Sequence, residues 1–155
     1  IILIVMVHLR NFLIFSVIFL FSCNPAKPTI TELNVIHPGI GVDSIYLGET
    51  QINKIENIKT LNSKGISFQT NEGKEITIIT LKNNLKYNTN KGIKIGKFKN
   101  DIINAFGEPT SVNINLKKSE TIIGTIKTLN YNGIRFLFLD NDSVVSHIHV
   151  FKNVP

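Results

Sequence analysis

The stretch Thr60-Leu61-Asn62-Ser63-Lys64-Gly65-Ile66-Ser67-Phe68 returns later in the chain as Thr128-Leu129-Asn130-Tyr131-Asn132-Gly133-Ile134-Arg135-Phe136, with six of nine positions identical. Recurrence at fixed spacing is the mark of a structural unit used more than once. The likeness extends outward on both sides. Ile45-x-Leu47-Gly48 matches Ile93-x-Ile95-Gly96, and Ile79 and Leu81 correspond to Ile148 and Val150. The repeat therefore predicts two units, over about 45–81 and 93–151.

Each unit reads as a short helix followed by a hairpin. In the first, Ile52, Ile55 and Ile58 recur at helical spacing behind Thr50, a residue suited to an N-cap. In the second, Phe98, Ile102, Ala105 and Phe106 make the apolar face, and Asp101 complements the helix dipole. Gly107 and Pro109 stop that helix. Period-two alternation in Ile66 and Phe68, and in Ile134, Phe136 and Phe138, predicts strands with one buried face. Polar turns at 71–74 and 140–143 lead into second strands. The second unit is longer by the insert 108–127, whose Thr121–Lys127 reads as a further strand. The expected fold class is α+β: two tandem helix-plus-β-hairpin units forming an antiparallel sheet, with two short helices on one face.

Ahead of the repeats lies an export pattern. Arg10 and Asn11 precede the apolar run Phe12–Phe21, which ends Leu20-Phe21-Ser22-Cys23. A cation, about ten apolar residues and a small residue are the three parts of a secretory signal. The run is shorter than the ~20 residues a bilayer span requires. Met6 is a plausible start, which would leave Ile1–Val5 outside the translated protein. Leu20–Cys23 resembles the bacterial lipobox. That resemblance implies cleavage before Cys23, the chain's single cysteine, and lipidation of its new amino terminus. Residues 1–22 are thus expected to be a signal peptide and 23–36 a tether, stiffened by Pro25 and Pro28. The folded domain is expected over 37–155. Asn24, which is not the Asp of inner-membrane retention signals, leans toward the outer membrane facing the periplasm.

Composition narrows the function classes. The 155 residues carry a formal charge of +6, which falls by one once Arg10 leaves with the signal. The lysines are scattered singly and do not form the basic stripe of a nucleic-acid binder. One cysteine forms no internal disulfide and closes no Cys-based metal site. His147 and His149 stand two apart on the last strand, ~6.6 Å apart on one face. No third ligand lies near them in sequence, so they read as a polar strand face. Asp140-Asn141-Asp142-Ser143 begins like a calcium loop but lacks its Gly and terminal Glu. Gly39-x-Gly41 lacks the rest of a dinucleotide or phosphate loop. Ser44 and Ser143 sit in no nucleophile elbow. No catalytic residue, metal site or cofactor is assigned, and an enzyme is not expected.

The stretch Gly92–Pro109 resembles the signature of the SmpA/OmlA (BamE-like) small outer-membrane lipoproteins. The doubled plan is similar to the β-lactamase-inhibitor-protein fold. These resemblances imply a membrane-anchored lipoprotein with a protein-binding or scaffolding domain, such as an accessory of outer-membrane assembly. The alternative they imply is an inhibitor or immunity-type lipoprotein that binds a secreted hydrolase. The expected partners are the membrane, through lipidated Cys23, and a protein of the cell envelope, with no nucleic acid. If Ile134, Phe136 and Phe138 face the helices, Arg135, Leu137 and Leu139 face outward, with Val145, His147, His149 and Phe151 beside them. Tyr131 joins them if its strand runs straight through. The expected partner surface is therefore Tyr131, Arg135, Leu137, His147, His149 and Phe151.

Overall fold

A computed structural model describes residues 33–83, 86–118, 123–140 and 142–153. The signal peptide, Cys23 and most of the tether lie outside the described residues. The described residues are built mainly of strands, in two sheets. The first, small sheet takes β1 (Val35–His37), β2 (Gly41–Val42), β3 (Ile45–Tyr46) and β6 (Asn88–Thr89) in the order β3-β2-β1-β6. The second takes β4 (Ile66–Thr70), β5 (Ile76–Lys82), β7 (Ser111–Lys118), β8 (Ile123–Tyr131), β9 (Ile134–Leu139) and β10 (His147–Phe151). Its order is β4-β5-β10-β9-β8-β7, antiparallel throughout. Among the described residues there are two α-helices, α1 (Ile58–Ser63) and α2 (Lys99–Phe106), and one 3-10 turn, Ile52–Lys54.

This corrects the expected α+β plan of two helix-plus-hairpin units. The two copies of the nine-residue stretch fold differently. Thr60-Leu61-Asn62 lies within α1, whereas Thr128-Leu129-Asn130 lies within β8. The reason is the neighbour that each copy finds. The insert of the second copy supplies β7, whose eight residues pair with β8 from Ser111↔Asn130 to Lys118↔Ile123. The first copy has no such strand, and its backbone closes its own hydrogen bonds as a turn of helix, with Lys64 N–H reaching the Thr60 C=O. Only Gly-Ile-x-Phe is common to both folds, entering β4 and β9.

Both glycines of that shared segment are required by geometry. Gly65 and Gly133 have φ of +79° and +72°. A Cβ at Gly65 would overlap the Lys82 carbonyl oxygen, and one at Gly133 would overlap the Gly39 backbone. The Gly133 C=O accepts from both Gly39 N–H, at 3.0 Å, and Phe151 N–H, at 3.1 Å, which ties the small sheet to the end of the large one.

The first helical prediction is also displaced. Ile52 opens the 3-10 turn and Ile55 follows it, and the Thr50 hydroxyl oxygen accepts from Tyr46 N–H at 2.9 Å and caps no helix. The second is where the periodicity places it. The Asp101 carboxylate accepts from Phe98 N–H at 3.1 Å, and Gly107, at φ +82°, closes α2 through the Ile103 C=O.

One core joins the parts. The inward rows of the large sheet run Ile66–Leu81–Ile148–Phe136–Leu129 and Phe68–Ile79–Val150–Ile134–Tyr131. Ile102 of α2 packs on them with Ile36, Val42 and Leu47 of the first-sheet region and with Ile93 and Ile95. Burying an aliphatic side chain contributes about 1.5–3 kcal/mol. None of the described helices is long and apolar enough to cross a membrane.

Candidate functional site

The small sheet and α2 pack on the inner face of the large sheet, so the face left open is the outer one. Side chains directly opposite across a ladder share a face. The registers therefore set two outer rows. One runs Ser67–Thr80–His149–Arg135–Asn130–Ser111 across all six strands, and the next runs Lys82–His147–Leu137–Thr128–Asn113. Phe151 and Ile78 oppose each other at one margin, Leu139 and Ile126 at the other. No Asp or Glu stands at any of these positions.

Arg135 is the centre of this face. Its guanidinium carbon lies 4.5 Å from the centroid of the Phe151 ring. Its Nε is buried and has no hydrogen-bond partner. His149, directly opposite Arg135, is held far below the ordinary imidazole range, to about 4. Burial is the main cause, and the positive charge of Arg135 and the nearby His147 add to it. At neutral pH His149 is therefore uncharged. His147 Nδ1 lies 3.1 Å from the Ser146 hydroxyl, whose proton goes to the Leu137 C=O at 2.8 Å.

Of the six residues expected to form the surface, the structure places Arg135, Leu137, His147, His149 and Phe151 on this face. Tyr131 is the correction. It lies opposite Ile134, hence on the inner face, and is 7 % exposed. Its ring meets Phe106 and Phe136 at centroid distances of 5.4 and 5.9 Å, and its hydroxyl donates to the Gly107 C=O at 3.0 Å. Burial, and secondarily the charge of Glu108, raise its pKa. The physical reason is the two-residue turn Asn132-Gly133, which returns the chain antiparallel and sets Tyr131 beside Ile134. An Asn-Gly pair between two alternating runs is itself a hairpin signal. Val145 is likewise buried, bonded through its backbone to Gly96 and Lys97, ahead of β10. The same register brings Asn130 and Thr128 into the outer rows, and the pairing of β5 with β10 adds Thr80.

Elsewhere, an open cleft of about 360 Å³ is lined by Asp43, Ser44, Thr50, Lys54, Glu56 and Leu61, among others. Asp43 is already engaged there. Its carboxylate accepts from Tyr87 O–H and Asn34 N–H, both at 2.6 Å. Ser44, exposed in a turn, has no histidine beside it in this lining. Among the described residues, no three His, Cys, Asp or Glu side chains are grouped to hold a metal ion.

Compared with known proteins, the chain matches no family model, no curated protein and no solved structure.

Proposed function

We propose that this chain is a membrane-anchored lipoprotein of the bacterial envelope that binds an acidic protein segment on the outer face of its six-stranded sheet. Anchoring rests on Leu20–Cys23 at the end of the export pattern. Several acyl chains, at about 0.8 kcal/mol per buried methylene, hold a protein durably on a bilayer. An accessory role in outer-membrane assembly is the form of this proposal that Gly92–Pro109 suggests.

The observation that carries the binding role is Arg135. It is braced over Phe151 with its Nε unbonded, on a face with Lys82 but no carboxylate. A preordered guanidinium loses little freedom when a carboxylate arrives. Leu137, Ile78 and Phe151 add apolar contact around the cation, a composition suited to protein recognition.

The test is co-purification of the full chain from detergent-solubilised membranes, beside Arg135→Glu and Phe151→Ala. The expected result is a partner retained by the unaltered chain, lost with both variants, and lost again when an acidic residue of that partner is neutralised. The variants should keep the circular dichroism of the parent. Binding undiminished in both variants would remove the outer face from the proposal, and unfolding would make these residues structural. A stable complex with envelope assembly proteins supports the scaffold role, whereas tight binding to one soluble hydrolase would replace it with inhibition. Cys23→Ala should release the chain from membranes. Retention would place the anchor in residues 1–21.

A further inference from the structure

The strand β7 forms one edge of the large sheet, bonded to β8 alone. Its alternate residues Val112, Ile114 and Leu116 are 49, 68 and 68 % exposed. They lie on the inner side of the sheet, since Val112 opposes the core residue Leu129, but the small sheet and α2 leave them uncovered. Over Ser111–Leu116 the usual protections of an edge are missing. The ladder with β8 runs unbroken through eight pairs without a bulge, and Ser111–Leu116 contains no Pro and no charge.

The backbone of the same three residues is what the edge presents. Asp140 N–H donates to the Thr125 C=O, and antiparallel bonding alternates, so Thr125, Lys127 and Leu129 direct their groups to β9. Ile126, Thr128 and Asn130 then bond to Asn115, Asn113 and Ser111. Val112, Ile114 and Leu116 are left with N–H and C=O pointing away from the sheet.

We infer that β7 pairs with β7 of a second copy of this chain, antiparallel about a two-fold axis through Ile114. The occupant is identified by self-complementarity. In that register Ile114 meets Ile114 of the partner copy, and Val112 meets Leu116. All three pairs fall at hydrogen-bonded positions, and the six apolar side chains become cross-strand neighbours in one continuous stripe. Asn113 meets Asn115 on the opposite side. Two six-stranded sheets become one continuous sheet. An isologous contact of this kind closes on itself and does not propagate. A single strand pair is smaller than a standard interface of ~800 Å² per partner, so the dimer is concentration-dependent. The pairing uses the edge and inner side, and it is independent of the reading of Arg135.

Sedimentation equilibrium of the full chain in density-matched detergent tests it. The unaltered chain should move from monomer to dimer with rising concentration. Ile114→Lys, which sets two cations on the axis, should weaken the dimer at least about tenfold with unchanged circular dichroism. An equimolar mixture of Ile114→Lys and Ile114→Glu should restore a mixed dimer, which neither variant forms alone. A chain that stays monomeric up to about 100 µM, a concentration well above the Kd of a micromolar complex, overturns the inference. So does a dimer that Ile114→Lys leaves intact, or a mixture that does not reassociate.

Discussion

Arg135 and Phe151 are diagonal neighbours on adjacent strands, the guanidinium carbon 4.5 Å from the ring centroid. The residue directly across from Arg135 is His149, and Phe151 lies two positions further along β10, where its N–H bonds to the Gly133 C=O. The ring thus braces the cation from the side and leaves its position set by the sheet. A double-mutant cycle with Arg135→Gln and Phe151→Leu should give a coupling of about 0.5–1 kcal/mol in chemical denaturation. Zero coupling would mean that the contact does not order the guanidinium.

His149 makes stability depend on pH. Its folded value of about 4 lies below the ordinary 6.5, so between those limits the unfolded chain binds the extra proton. The stabilising contribution of the neutral ring is complete above pH 6.5 and is lost as pH falls toward 4. The whole loss is on the order of 3 kcal/mol at most, and less where water reaches the ring. His149→Gln should flatten the fall in Tm across this window. Arg135→Gln should shrink it, because one of the charges opposing protonation is gone. An unchanged profile in His149→Gln would assign the titration to another group.

The alternation of apolar residues in 66–68, 134–138 and 147–151 identified β4, β9 and β10 and the buried face of each. The helix α2 was legible from Ile102, Ala105, Phe106 and the Gly107–Pro109 stop. What identity between the copies does not encode is the neighbour each will meet. Thr-Leu-Asn is compatible with either helix or strand, and β7, outside the copied residues, decides the second case. The same limit applies to the surface. Arg135, Leu137, His147, His149 and Phe151 follow from parity within a strand, but Tyr131 depends on parity across the Asn132-Gly133 turn. The small sheet, with strands of two or three residues, offers no period to read.

Tyr131 is expected to behave as a core residue. Its hydroxyl bonds to the C=O at the end of α2, and its ring completes the cluster with Phe106 and Phe136. Tyr131→Phe should cost about 0.5–1.5 kcal/mol in chemical denaturation, from the lost hydrogen bond. Tyr131→Ala should cost about 3–5 kcal/mol, comparable with other aromatic truncations in a core. Neither loss is expected to come with a selective loss of partner binding in variants that still fold. Selective loss of binding in Tyr131→Phe would return this residue to the surface.

The two copies of the repeated stretch can be weighed against each other through one leucine. Leu129 of β8 is fully buried, opposite Phe136 in the middle row of the sheet. Leu61, its counterpart, is only partly buried on α1, a six-residue helix with no fully buried position and no side-chain cap. So short a helix depends on docking for its stability, and its residues contribute less than those of a central strand. Leu129→Ala removes a side chain from a closed core and should cost about 2–5 kcal/mol. Leu61→Ala opens no sealed cavity and replaces leucine with the best helix former, so its cost should fall at or below the low end of that range. Equilibrium denaturation of the two single variants and the double variant provides the measurement. Equal losses would mean that the copies occupy equivalent environments after all. Additive, unequal losses are expected from two residues that share a sequence context but not a structural one.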